Sequence, residues 1–394
     1  MPEPKSMQPM RIGLVCEGDA SRSETAFSGT AKRIFESLVR QGHKVIPVDA
    51  SLTGSLRVAA ALTCISVNTE TWRSRFRYGK RAAEYRTAAA AAALGDQAVD
   101  VILQIGATYD PPATGSIPYA FYCDWNMALN AVEAKAGGGT SKGLGIEEIE
   151  AIDREHARRY QGACAIFTIS ARLRVAFIEL YDIAPNRVHT AYAGPNFDIG
   201  LIDAMLRQPK QSTAPTVLFV AKEFYRKGGP TVAVAFARLR EKLPEAQLIF
   251  AGSEGLPAEL RSLGNVQHLG LLDKSDPGQL QRLLAAYRDA DVLVLPSRHD
   301  PFPTVIREAM FFGVPCVASN IWAMPEMIED GKTGFLVPVD NTESLLSKVT
   351  LLLGDVTLRE KMGKAARIRA EKMFAWDSVG DVLSEHLEQC RLNS

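Results

Sequence analysis

Short runs of Val, Ile, Leu and Phe punctuate this chain, and longer amphipathic stretches separate them. The first series is Arg11–Cys16 (RIGLVC), 44–48, Val101–Ile105 (VILQI), Tyr119–Cys123 and 165–169. The second is Thr216–Val220 (TVLFV), Gln247–Ala251, Val292–Leu295, 316–318 and 335–337. None alternates apolar with polar residues, so each suits a parallel strand buried on both faces. Helical stretches fill the gaps, such as 30–41, which Gly42 closes as the residue past a helix end. A β-α-β repeat of this kind predicts an α/β fold with parallel sheets.

Between the two series lies 198–215, ending in QPKQSTAP, a composition that predicts an inter-domain linker. The predicted domains are therefore 1–197 and 216–374, each a Rossmann-like sheet of ordinary domain size. Residues 375–394 read as a closing amphipathic helix with no strand after it.

Several function classes fall away on composition. Lys plus Arg number 45 and Asp plus Glu number 45, whereas a protein held on nucleic acid by phosphate neutralisation needs a basic footprint. No apolar run approaches the roughly 18 residues of a membrane span. Residues 1–10 carry prolines and charges without an apolar core, so no signal peptide is expected. The six cysteines are scattered, without CxxC, and read as reduced cytosolic thiols. There is no HxxH or HExxH, so no metal is expected, and no cofactor. The absence of GxGxxG after the first strand speaks against a dinucleotide-dependent oxidoreductase.

The most patterned part is the C-terminal half. It reads VLFVAKEFYRKGG (217–229), AQLIFAGSEG (246–255), ADVLVLPSRHDPFPTVIREAMFFGVPCVAS (290–319) and GKTGFLVPVDN (331–341). This resembles the donor domain of the family 4 glycosyltransferases. SGTAKRIFESLVRQGHKV (28–45) is similar to that family's first loop and helix, and AGPNFD (193–198) to its domain-closing segment. The resemblance implies a GT-B fold, with two Rossmann-like domains facing a central cleft and the last helix packing back on the first domain. It also implies a cytoplasmic retaining glycosyltransferase that uses a nucleotide-sugar (NDP-sugar) donor as substrate.

The chemistry can be matched to residues. A departing diphosphate needs positive groups and aimed amides in a dry cleft. Lys222 and Lys227 stand in the loop after strand 216–220, and open α/β sheets bind ligands at the carboxyl ends of their strands. On spacing alone they read as solvated loop cations; the surrounding pattern makes them a candidate diphosphate clamp. The family usually has Arg at the first position, so Lys222 keeps the charge and loses the bidentate fork. Asp300 and Glu308 match the family's paired acids, which implies that Glu308 holds the ribose and Asp300 the sugar, here with an acid one methylene shorter than usual. Between them, Phe302, Pro303, Thr304 and Val305 form a turn whose amides suit a phosphate or sugar.

Ser28, Gly29 and Thr30 open the first helix, where glycine permits close backbone approach and the helix end favours anions; Ser28 reads equally as a cap. Asp124 ends the strand 119–123, where many family members carry a histidine that contacts the sugar. It reads equally as a turn or cap residue. In SNIWAMPE the glycines usual before Pro325-Glu326 are missing, and Trp322 reads as a pocket wall or as packing. Finally, Trp72, Arg73, Arg75, Phe76, Arg77, Tyr78, Lys80, Arg81, Tyr85 and Arg86 form a basic, aromatic stretch. It suits peripheral contact with an anionic membrane or a phosphorylated acceptor, or a solvated helix face with its aromatics turned inward.

The resulting expectation is a retaining transferase with catalytic residues Asp124, Lys222, Lys227 and Asp300 and an acceptor left open. Two other classes stay open: a sugar-nucleotide epimerase on the same fold, and a catalytically silent sugar-nucleotide or glycan binder.

Overall fold

The computed structural model describes residues 8–22, 29–112, 115–135 and 143–393. The chain divides into two compact units, one formed by Met1–Ala193 with Trp376–Ser394, the other by Gly194–Ala375. Each is built on a six-stranded sheet.

The first sheet contains β1 (Arg11–Cys16), β2 (Lys44–Asp49), β3 (Val101–Ile105), β4 (Tyr119–Cys123), β5 (Ala165–Thr168) and β6 (Val188–Thr190), in the order β2-β1-β3-β4-β5-β6. The second contains β7 (Thr216–Val220), β8 (Gln247–Ala251), β9 (Val266–Gly270), β10 (Val292–Leu295), β11 (Cys316–Ser319) and β12 (Gly334–Val337), in the order β12-β11-β10-β7-β8-β9. Every pairing is parallel. The central strands are buried from end to end, β3 and β10 throughout, as their unbroken apolar runs require. In the second sheet the order reverses between β7 and β10. Such a switch point leaves a crevice outside the strands' carboxyl ends, because the connections depart in opposite directions.

The last helix, Trp376–Leu392, belongs to the first unit and packs on the helix Thr30–Arg40. Ser37 Oγ donates to the Trp376 carbonyl at 2.7 Å, and Arg40 pairs with Asp377 at 2.7 Å. A Cβ on Gly380 would stand 2.1 Å from Ser37 Oγ, so this crossing requires glycine. His43 Nε2 meets Ser384 Oγ at 2.9 Å.

Two expectations are corrected, and two strands are added to those read from sequence. Segment 198–215 is no bare linker: Ile199–Leu206 is a helix capped by Asp198, with Ile202 and Met205 buried in the second unit. Arg367 ties it down through Asp203 at 2.7 Å. Its apolar IGLIDAML directly precedes the polar residues that give the segment its linker composition. The cysteines are not all free either, since Cys164 and Cys390 form a disulfide with Cα atoms 5.6 Å apart. Separated by 226 residues, they carry no spacing signal. Finally, β6 and β9 are additional edge strands, short or polar enough (VHT, VQHLG) to escape a search for apolar runs.

Candidate functional site

The loop after β7 and the loop after β10 flank the switch point of the second sheet. They are laced together: Arg226 Nη1 donates to the His299 carbonyl at 2.6 Å, and the Arg298 amide donates to the Arg226 carbonyl at 3.0 Å. Gly228 turns the first loop into the helix Gly229–Lys242 with a left-handed φ of 80°, and a Cβ there would lie 2.0 Å from the Pro296 carbonyl oxygen. No side chain caps this helix; the Gly229 amide donates to the Phe224 carbonyl at 2.9 Å and Pro230 has no N–H to offer, so the first turn is closed largely by its own loop.

This lacing brings Lys227 and Asp300 into an ion pair, with side chains only 15% and 9% exposed. Burial pushes the Lys227 ammonium below its ordinary value, and Asp300 opposes that shift. Lys222, at the other end of the first loop, is exposed.

Glu308 lies on the helix Thr304–Phe311 and is fully buried. Its Oε1 pairs with Lys274 and its Oε2 accepts from the Tyr287 hydroxyl at 2.8 Å. Lys274 stands in the loop after β9, 5.3 Å from the centre of the Phe197 ring. Neither Lys274 nor Tyr287 was expected from sequence. The signal that marked Lys222, a place just after a strand, was hidden for Lys274 because the strand before it, β9, is too polar to read as one.

The turn between the two acids divides its work. Phe302 and Pro303 are buried; the Phe302 ring packs on Phe374 at 5.9 Å, so its side chain is core. Arg307 donates to Thr304 Oγ1 at 3.0 Å and stacks over Phe302 at 4.5 Å, which holds the turn rigid. Val305 is half-buried. Trp322 adopts a left-handed φ of 54° and meets His299 edge-on at 4.7 Å. Glycine takes such a φ without strain, and here an aromatic ring packed on the site loop takes its place.

The remaining candidates lie in the first unit. Gly29 caps the helix Thr30–Arg40 at φ 90° with no side-chain hydrogen bond, and Thr30 follows it half-buried. Ser28 lies outside the described residues. Asp124 is exposed just past β4, and Arg77 and Tyr78 interact with it electrostatically. The aromatics of the basic stretch turn inward: Trp72, Phe76 and Tyr85 pack against Leu52, Ala60, Cys64 and Ala82, and Tyr78 packs against Met127 and Ile149. Arg75 is paired with Glu148 at 2.7 Å and Arg86 with Glu17 at 2.9 Å.

A solved sucrose-phosphate synthase of Thermosynechococcus elongatus superposes with a TM-score of 0.69 over 98% of this chain and 100% of that one, at 17% identity. The fold is GT-B. The Anabaena protein HepE in complex with UDP-glucose superposes with a TM-score of 0.59, covering 96% of this chain and 100% of that one at 16% identity. Residues 204–369, within the second unit, match the family described as glycosyl transferases, group 1. An uncharacterised glycosyltransferase of Methanocaldococcus jannaschii is 29% identical over 259 residues, 61% of this chain and 64% of that protein. The chain spans less than two thirds of the length of the curated relatives it matches.

Proposed function

We propose that this protein transfers a sugar from a nucleotide-sugar donor to an acceptor with retention of anomeric configuration, the second unit binding the donor. The observation that carries this reading is the pair of lysine–carboxylate contacts, Lys227–Asp300 between two loops that follow parallel strands and Lys274–Glu308 between such a loop and the helix Thr304–Phe311, all within the matched segment. A partly buried lysine beside a helix N-terminus suits a diphosphate, because its charge is worth most where water is scarce.

In this reading Lys227, with Lys222, neutralises the departing diphosphate. Glu308 accepts from the ribose hydroxyls and Asp300 from the sugar. Binding exchanges the Lys227–Asp300 contact for contacts to phosphate and sugar. The acceptor hydroxyl attacks the anomeric carbon on the face the diphosphate leaves. The new C–O bond forms as the C–O bond to phosphate breaks, and the acceptor proton passes to a phosphate oxygen. HepE is a neighbour solved with UDP-glucose, which makes uridine diphosphate sugars the first donors to try.

Calorimetric titration with UDP-, GDP- and ADP-sugars, followed by product analysis with and without candidate acceptors, tests the reading. One donor class should bind, and Lys227→Ala should lower turnover by about a hundredfold or more while the fold persists. Unchanged turnover in that variant removes Lys227 from the mechanism; an epimerised donor without transfer replaces transferase with epimerase.

A further inference from the structure

The basic stretch of the first unit has neighbours that sequence patterning did not single out. The helix Gly54–Leu62 buries Ala60, and Cys64 just beyond it, in a small cluster with Leu52 and Ala82. Its other face is aliphatic and open to water: Val58 is 59% exposed, Leu62 62%, and Ile65, just past the helix, 65%. Val58 and Leu62 are four apart and so share one stripe. Leu56 and Val67 extend the exposed apolar surface at either end. Single exposed aliphatics are ordinary, but a cluster from one short segment marks an interaction surface.

Trp72 Nε1 donates to the Ala61 carbonyl at 3.1 Å, which pins the following helix, Thr69–Tyr78, to the end of this aliphatic one. Arg73 comes directly after that anchor. Arg57, Arg73, Arg77, Lys80 and Arg81 are all exposed, against Glu70 and Glu84, while Arg75 and Arg86 are engaged by Glu148 and Glu17. In a chain with zero formal charge, this is a local cationic excess beside an aliphatic ridge.

We propose that this surface, the helix Gly54–Leu62 with the exposed cations of 73–81, docks the protein on an anionic lipid bilayer. The two halves of the surface match the two chemistries of a membrane interface: aliphatic side chains enter the headgroup–acyl boundary, and Arg and Lys meet acidic headgroups. A nine-residue helix, about 14 Å long, lies in that interface and is far too short to cross about 30 Å of hydrocarbon. Nucleic acid fits less well, since the aromatics that would stack bases pack inward. The proposal is independent of the donor chemistry in the second unit.

The test is co-sedimentation of the full chain with phosphatidylcholine vesicles, with and without phosphatidylglycerol, at low and high salt. The chain should partition onto anionic vesicles at low salt, release at high salt and ignore neutral ones. Two variants separate the components: Val58→Ser with Leu62→Ser and Ile65→Ser, and Arg73→Ser with Lys80→Ser and Arg81→Ser. Each should lower partitioning by about tenfold or more while keeping the wild-type thermal midpoint; if the aliphatic triple variant unfolds, Leu62→Ser alone carries the test. Wild-type protein left in the supernatant with anionic vesicles overturns the proposal, as does undiminished binding by the aliphatic variant. A wild-type dimer that the aliphatic variant splits, with no vesicle binding by either, assigns the surface to a second copy instead.

Discussion

Replacing Lys274 by Met tests how Glu308 is held. Glu308 is fully buried with one oxygen on Lys274 and the other on Tyr287. Removing one partner of a buried pair costs about 3–5 kcal/mol, because the other charge stays desolvated. Lys274 is about a third exposed and Tyr287 keeps its hydrogen bond, so solvent relieves part of this and the expected loss is about 2 kcal/mol. In a Glu308→Gln background no anion is left stranded, and Lys274→Met should cost at least about 1 kcal/mol less. Urea unfolding followed by fluorescence suits the measurement, because Trp322 is the single tryptophan between Gly194 and Ala375. Donor affinity in Lys274→Met should fall about tenfold, as Glu308 loses its fixed orientation. A loss below about 0.5 kcal/mol, or one of equal size in both backgrounds, would refute a coupled buried pair.

Gly228→Ala meets both a left-handed φ and the Pro296 carbonyl; it should cost more than about 2 kcal/mol and weaken donor binding, and a variant as stable as wild type contradicts the tight turn. Asp300→Glu adds a methylene in a nearly buried pair. It should shift donor-sugar preference or turnover at least about threefold with nucleotide affinity held; if neither moves, Asp300 does not touch the sugar. His156 is buried, and burial first, then Arg159, lowers its pKa to about 3. Because the folded state binds fewer protons than the unfolded one below pH 6.5, the stability this neutral ring confers is lost between pH 6.5 and about 3, roughly 2 kcal/mol of it by pH 5. Thermal midpoints at pH 7 and pH 5 should therefore differ less in His156→Phe than in wild type, and an equal difference excludes His156 as the source.

The strands that build the two sheets were legible because burial on both faces demands unbroken apolar runs, as in VILQI and VLVL. β6 and β9 were not, since a short edge strand is under no such demand. At the candidate site, Lys227, Asp300 and Glu308 were visible through their motif. Lys274 was not: its partner Glu308 is 34 residues away, joined to it only by the sheet order. The basic stretch was legible as charge, but which way its aromatics turned was decided by the Ala60–Cys64 face against which they pack.

The return of the last helix to the first unit has a consequence for synthesis. The chain leaves that unit after Ala193 and rejoins it at Trp376, so a ribosome completes all of the second unit in between, about ten to forty seconds of elongation. Throughout that interval Ser37 and His43 wait for Trp376 and Ser384, and Cys164 waits for Cys390. The second unit has every strand of its sheet in hand before the first unit receives its closing helix. A nascent chain stalled shortly before Trp376 would thus carry one finished domain and one with an uncovered flank, exposed to chaperones and proteases at the helix Thr30–Arg40. The domain that begins first is the last to be finished.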